Sequence, residues 1–128
     1  GRLWVNVTEA KTLAAADSGY VQNVIYASGV VTGPAAATTG FFTIRNGGVP
    51  VTSGPTGTGS NGNGIAFDPA AADTLIGFNV ADGTSADGKQ IINTAATAKV
   101  GDEVSIAYTA NANGPCVTEI KGVWAKEA

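Results

Sequence analysis

Apolar and polar residues alternate along much of this chain with a period of two. In "GYVQNVIY" (19–26), Tyr20, Gln22, Val24 and Tyr26 share one face, and Val21, Asn23 and Ile25 share the other. In "GDEVSIAYTA" (101–110), Val104, Ile106 and Tyr108 lie opposite Ser105, Ala107 and Thr109. In "CVTEIKGVW" (116–124), Ile120 and Trp124 fall together, with Glu119 and Lys121 opposite, so both apolar side chains are expected in or against the core. A period of two places alternate side chains on opposite faces of a strand, the pattern of half-buried antiparallel sheet.

Turn formers punctuate these runs. "NGG" (46–48), the Asp-Gly pairs at 82–83 and 87–88 and "NANGP" (111–115) favour tight reversals. The last joins two alternating runs, so 102–110 and 116–125 are predicted to form a β-hairpin. Further strands are expected at 3–8, 20–26, 41–46, 64–68, 74–80 and 89–94. Helix is confined to possible single turns at 13–19 and 68–75, since neither has a long apolar stripe. The expectation is an all-β domain of seven to nine strands. It would be an antiparallel β-sandwich or a partly closed, jelly-roll-like barrel.

Composition narrows this further. The 128 residues suit one domain, 1–128, with a Gly-rich loop at about 47–64 too poor in large side chains to supply core. Apolar residues make up 44% of the chain, but many are Ala, so the core rests on few large side chains. Sharing apolar surface between copies would help such a domain. The net charge is −3, and the seven basic residues are scattered, which argues against nucleic acid as a partner. No run approaches the roughly 18 apolar residues of a membrane-spanning helix, and no signal peptide is evident, so no membrane partner is expected.

Candidate chemistry is sparse. There is no His, which removes Ser–His and Cys–His catalysis. Cys116, the sole cysteine, reads as a small buried strand residue. "GTGSNG" (57–62) matches a dinucleotide fingerprint but lacks the flanking strand and helix. "GTSADGKQ" (83–90) lacks the Ser or Thr that a P-loop needs after Lys89, and Asp82, Asp87 and Lys89 read as turn residues. Among the carboxylates, Asp17, Asp73 and Asp102 read as turn or strand-edge residues, and with Asp68 and Glu103 they form no aromatic-lined pair. Asn6–Thr8, "NVT", fits a glycosylation sequon that matters only in a eukaryotic secretory pathway. No enzyme activity, catalytic residue, cofactor or metal is expected.

The order of the short motifs is itself informative. Thr12–Gly19 reads "TLAAADSG", Pro34–Phe42 leads through Gly40 into a strand, Gly101–Val104 reads "GDEV", and Gly122–Trp124 reads "GVW". This arrangement resembles a recurrent β-module of tailed-phage structural proteins, seen in capsid decoration (cement) proteins and tail fibres. It departs from the pattern where "TGP" stands in place of Leu-Pro before the link. The resemblance implies a virion structural protein on the outer surface of a bacteriophage head. It would act as a homotrimer that bridges subunits of the major capsid protein. The alternative is a fibre or adhesin-type module that binds a receptor or glycan. Physically, Pro34 and Gly40 bracket a link that cannot continue a ladder, which lets the chain cross between sheets. Leu3, Trp4 and Val5 are the candidate interface, since Trp is a favoured anchor; an ordinary first strand is the competing reading.

Overall fold

The computed structural model describes residues 3–25, 30–48, 65–70, 75–77, 90–93 and 97–126. Ten strands are found among them: β1 (Trp4–Val7), β2 (Lys11–Thr12), β3 (Val21–Val24), β4 (Val30–Thr32), β5 (Thr39–Asn46), β6 (Ile65–Asp68), β7 (Ile91–Asn93), β8 (Glu103–Thr109), β9 (Cys116–Lys121) and β10 (Ala125–Lys126). The helical content described is one 3₁₀ turn, Ala15–Asp17. The chain is therefore all-β, in two sheets of five strands, ordered β1-β3-β5-β8-β9 and β10-β7-β6-β4-β2. Below they are called the first and second sheet.

The pairing sense differs from the antiparallel expectation. β1 with β3, β3 with β5, β2 with β4, and β4 with β6 are all parallel. The reason lies in the path of the chain. From β1 to β6 successive strands belong alternately to the first and second sheets. Two crossings separate neighbours in one sheet, so their directions match. The link after Gly33 does carry the chain between sheets, from β4 to β5, as Pro34 and Gly40 suggest. The later pairings, β6–β7, β5–β8, β8–β9 and β7–β10, are antiparallel. The hairpin expected from "NANGP" is β8–β9.

Three strands have no counterpart in the sequence-based expectation, which raises the count above seven to nine. They are β2, β4 and β10, of two, three and two residues. The run expected at 116–125 is also divided. It leaves the first sheet at Lys121 and rejoins the second at Ala125, where it pairs with β7. Of the strand expected at 74–80, residues 75–77 are described; Ile76 forms an isolated bridge with Cys116 at the β9 edge. The Gly-rich loop from 49 to 64 and the turn residues Asp82, Asp87 and Lys89 lie outside the described residues.

The core lies between the sheets. Phe42 and Ile44 of β5 and Val104, Ile106 and Tyr108 of β8 face Val31, Ile65, Phe67 and Ile91 of the second sheet's strands. Phe42 and Tyr108 meet edge to face, 5.6 Å apart at 87°, a favoured geometry for two aromatic quadrupoles. Trp124 is buried, and its indole N–H donates to Lys121 O at 3.0 Å. Ile120, expected beside it, is 41% exposed. β9 is the last strand of its sheet and carries a bulge opposite Ser105/Ile106, which leaves Ile120 at the rim.

A polar knot closes one end of the sandwich. Asn46 Nδ2 donates to Asn93 Oδ1 at 2.9 Å, and Asn93 Nδ2 donates to Asp102 Oδ2 at 3.0 Å and Val123 O at 3.1 Å. Asp102 Oδ2 also accepts from Lys99 N at 2.9 Å. All three side chains are buried. Buried polar groups are tolerated when such partners replace water. The knot ties β5 of the first sheet to β7 of the second beside the point where β9 leaves for β10.

Candidate functional site

The site is built on the outer face of the first sheet, around its β1 edge. Trp4 pairs with Val21 and that residue with Thr43, while Asn6 pairs with Asn23 and that residue with Arg45. Paired residues project to the same side, so these six form two rows over the face away from the core. Arg45 extends from β5 across β3. Its guanidinium carbon lies 4.4 Å from the centre of the Trp4 ring, and Nη1 donates to Asn23 Oδ1 at 2.6 Å. Asn23 Nδ2 donates in turn to Asn6 Oδ1 at 3.1 Å. On the other side, Arg45 Nε approaches Glu103 Oε2 at 3.9 Å.

This chain of contacts spans four adjacent strands, and it buries Val21, Asn23, Thr43 and Ser105 on a face that alternation alone would leave wet. Thr43 and Ser105 hydroxyls lie 3.0 Å apart. Trp4 remains 52% exposed although Arg45 lies over it, and Leu3 beside it is 65% exposed. Phe41 on β5 is 44% exposed. Of the three candidate interface residues, Leu3 and Trp4 are exposed, and Val5 is intermediate. Val5 belongs to the alternate set with Val7, which enters the core. The register of β1 puts Trp4 on the outer face, under the Arg45 guanidinium.

The guanidinium over its face favours one orientation of the indole. Cation–π attraction is worth about 0.5–1 kcal/mol at an exposed site, and Arg45 is itself fixed by Asn23 and Glu103. A pre-ordered aromatic loses little freedom on binding, which is what makes such residues effective anchors. Arg45 and Asn23 were not singled out by sequence reasoning. A clue was available: Arg45 is the one charged residue within the apolar run at 41–46.

Asp73 lies outside the described residues, and the remaining candidates have structural partners. Asp17 Oδ2 accepts from Ala14 N at 2.8 Å within the 3₁₀ turn, and Oδ1 pairs with Lys11 Nζ at 3.1 Å. Asp102 belongs to the polar knot and Glu103 to the Arg45 contact. Cys116 is half-buried rather than buried, with Sγ 3.6 Å from Val117 O. Among the described residues no group of three or more His, Cys, Asp or Glu side chains is placed to hold a metal, and no helix is long and apolar enough to cross a membrane. No family model matches the chain, and no curated protein matches it.

Proposed function

We propose that the protein is a phage structural protein of the capsid decoration (cement) type, acting by docking rather than by catalysis. The observation that carries the reading is the half-exposed Trp4 on the outer sheet face, with the Arg45 guanidinium over its ring and the preceding residue, Leu3, also exposed. The motif order from Thr12 to Trp124 supplies the viral context by resemblance.

In this reading Leu3 and Trp4 contact the major capsid protein or a sister copy at the outer surface of the head, and Val5, whose alternate set faces the core, holds their strand in place. The protein bridges neighbouring capsid subunits and adds buried area at their seams. A stable contact of this kind needs on the order of 1,200–2,000 Å² of total buried surface. A homotrimer would multiply weaker contacts through effective concentration. The fibre or adhesin alternative is favoured by one feature: an exposed indole flanked by Asn6 and Asn23 suits stacking on a sugar ring.

The test removes the anchor without unfolding the domain. Trp4→Ala should bind heads stripped of the protein at least tenfold more weakly, with an unfolding midpoint close to that of the parent. Sedimentation should give the mass of a trimer for the parent. Undiminished rebinding by Trp4→Ala refutes the anchor. A monomer that binds no head in either form refutes the decoration reading, and glycan-array binding lost in Trp4→Ala would favour the alternative.

A further inference from the structure

Between the sheets, away from the docking face, three side chains converge that the proposed function does not use. Lys11 of β2 in the second sheet places Nζ 2.7 Å from Oε1 of Gln22 on β3 in the first sheet. Asp17, on the turn between these strands, holds Oδ1 3.1 Å from the same Nζ. An ammonium has only donors, so the atom facing it must be the amide oxygen. The amide nitrogen therefore points the other way. Gln22 is fully buried, and its Nε2 has no hydrogen-bond partner.

Each observation bears on reactivity. A carbonyl oxygen that accepts from an ammonium is polarised, and its carbon lies one bond from the atom that Lys11 already touches. Asp17 is held in place, since its other oxygen accepts from Ala14 N at 2.8 Å. Lys11 and Asp17 side chains are 25% and 23% exposed, so most of both is withdrawn from water. A buried amide NH₂ without a partner is unfavourable, and it is this nitrogen that an acyl transfer would expel.

We propose that Lys11 and Gln22 form an intramolecular isopeptide bond, with Asp17 as the proton carrier. Asp17 takes a proton from the Lys11 ammonium. The freed Nζ lone pair attacks Cδ of Gln22, and the carbonyl electrons move to Oε1. A proton passes from Nζ to the neighbouring Nε2, the tetrahedral centre collapses, the Cδ–Nε2 bond breaks, and ammonia leaves. Asp17 then gives the proton it took to the departed ammonia, giving ammonium. One C–N bond forms and one breaks; no oxidant, metal or cofactor takes part. Holding the reacting groups together replaces a bimolecular encounter, the main accelerating factor available to such a site. The product ties the two-residue edge strand β2 to the interior strand β3 across the sandwich. It also removes the unpartnered NH₂. The proposal is independent of the docking reading.

Intact mass of the folded, full-length protein tests it directly. After incubation until the mass is constant, the parent should weigh less than its sequence by one ammonia. Lys11→Arg and Gln22→Leu should keep their full sequence masses, and Asp17→Asn should lose ammonia more slowly. Tryptic mapping should show Lys11–Thr12 uncut and the loss confined to the peptide spanning residues 3–45. That peptide should yield no fragments from backbone cleavage between residues 11 and 22. Full sequence mass in the folded parent overturns the proposal. So does ammonia loss that persists in Lys11→Arg, or that maps to an Asn-Gly pair as succinimide. Unaltered kinetics in folded Asp17→Asn would overturn the role given to Asp17. Circular dichroism confirms that each variant is folded before its mass is read.

Discussion

Gly122 sits where the chain leaves the first sheet, and replacing it by Ala should be among the most damaging single-methyl additions available. Two effects act together. Its φ is +94°, a conformation that L side chains rarely adopt, and holding a non-glycine residue there costs about 1–2 kcal/mol. An added Cβ would also fall 2.3–2.6 Å from the Asp102 carboxyl atoms. Asp102 cannot simply swing aside, because Oδ2 accepts from both Asn93 Nδ2 and Lys99 N. Displacing it weakens hydrogen bonds to a charged group, each worth about 1.5–3 kcal/mol.

Gly19 is the internal control. Its φ is +88°, but an added Cβ would meet nothing within 4 Å. Gly19→Ala should therefore show the backbone cost alone, about 1–2 kcal/mol. Gly122→Ala should exceed it by about 2–4 kcal/mol, the loss of one or two charged hydrogen bonds. Against a domain stability of about 5–15 kcal/mol that difference is large. Urea unfolding followed by tryptophan emission reads both variants, with the slope checked for constancy. Equal losses for the two, within about 0.5 kcal/mol, would refute the steric argument. The combination of Gly122→Ala with Asp102→Ala should then be less than additive, since the second change removes the obstructing carboxylate.

Trp124→Ala should lose about 3–5 kcal/mol in the same assay. Ile120→Ala should lose less than about 1.5 kcal/mol, because its side chain already meets water at the rim; the reverse order would place Ile120 in the core. Asn93→Ala leaves both Asn46 Nδ2 and the Asp102 carboxylate short of a partner, and should destabilise by at least about 2 kcal/mol, measured by the shift in the urea midpoint. Trp4→Ala should cost no more than about 1 kcal/mol of stability, so its effect on head binding can be read separately from folding.

Much of the secondary structure was legible because its signal is local. The period of two in 101–110 places Val104, Ile106 and Tyr108 on one face whatever lies opposite, and the structure puts all three in the core. "NANGP" marks its own reversal, and the absence of long apolar stripes at 3.6 spacing excludes substantial helix wherever the chain folds. What surrounds a strand is not local. β3 alternates in sequence as if half-exposed, yet all four residues are buried, because β1 and β5 flank it and Arg45 roofs its outer face. That roof depends on a side chain more than twenty residues away in sequence. The parallel pairings arise from repeated crossings between sheets, which alternation cannot encode. Strands of two residues, such as β2 and β10, contain no period to detect. Leu3, Trp4 and Val5 were identifiable as an apolar chain-end cluster, but only the register of β1 against β3 decided that Trp4 faces out while Val5 belongs to the core-facing set. The meeting of Lys11 with Gln22 was likewise decided by tertiary structure, since it requires two strands from different sheets to face each other across the sandwich.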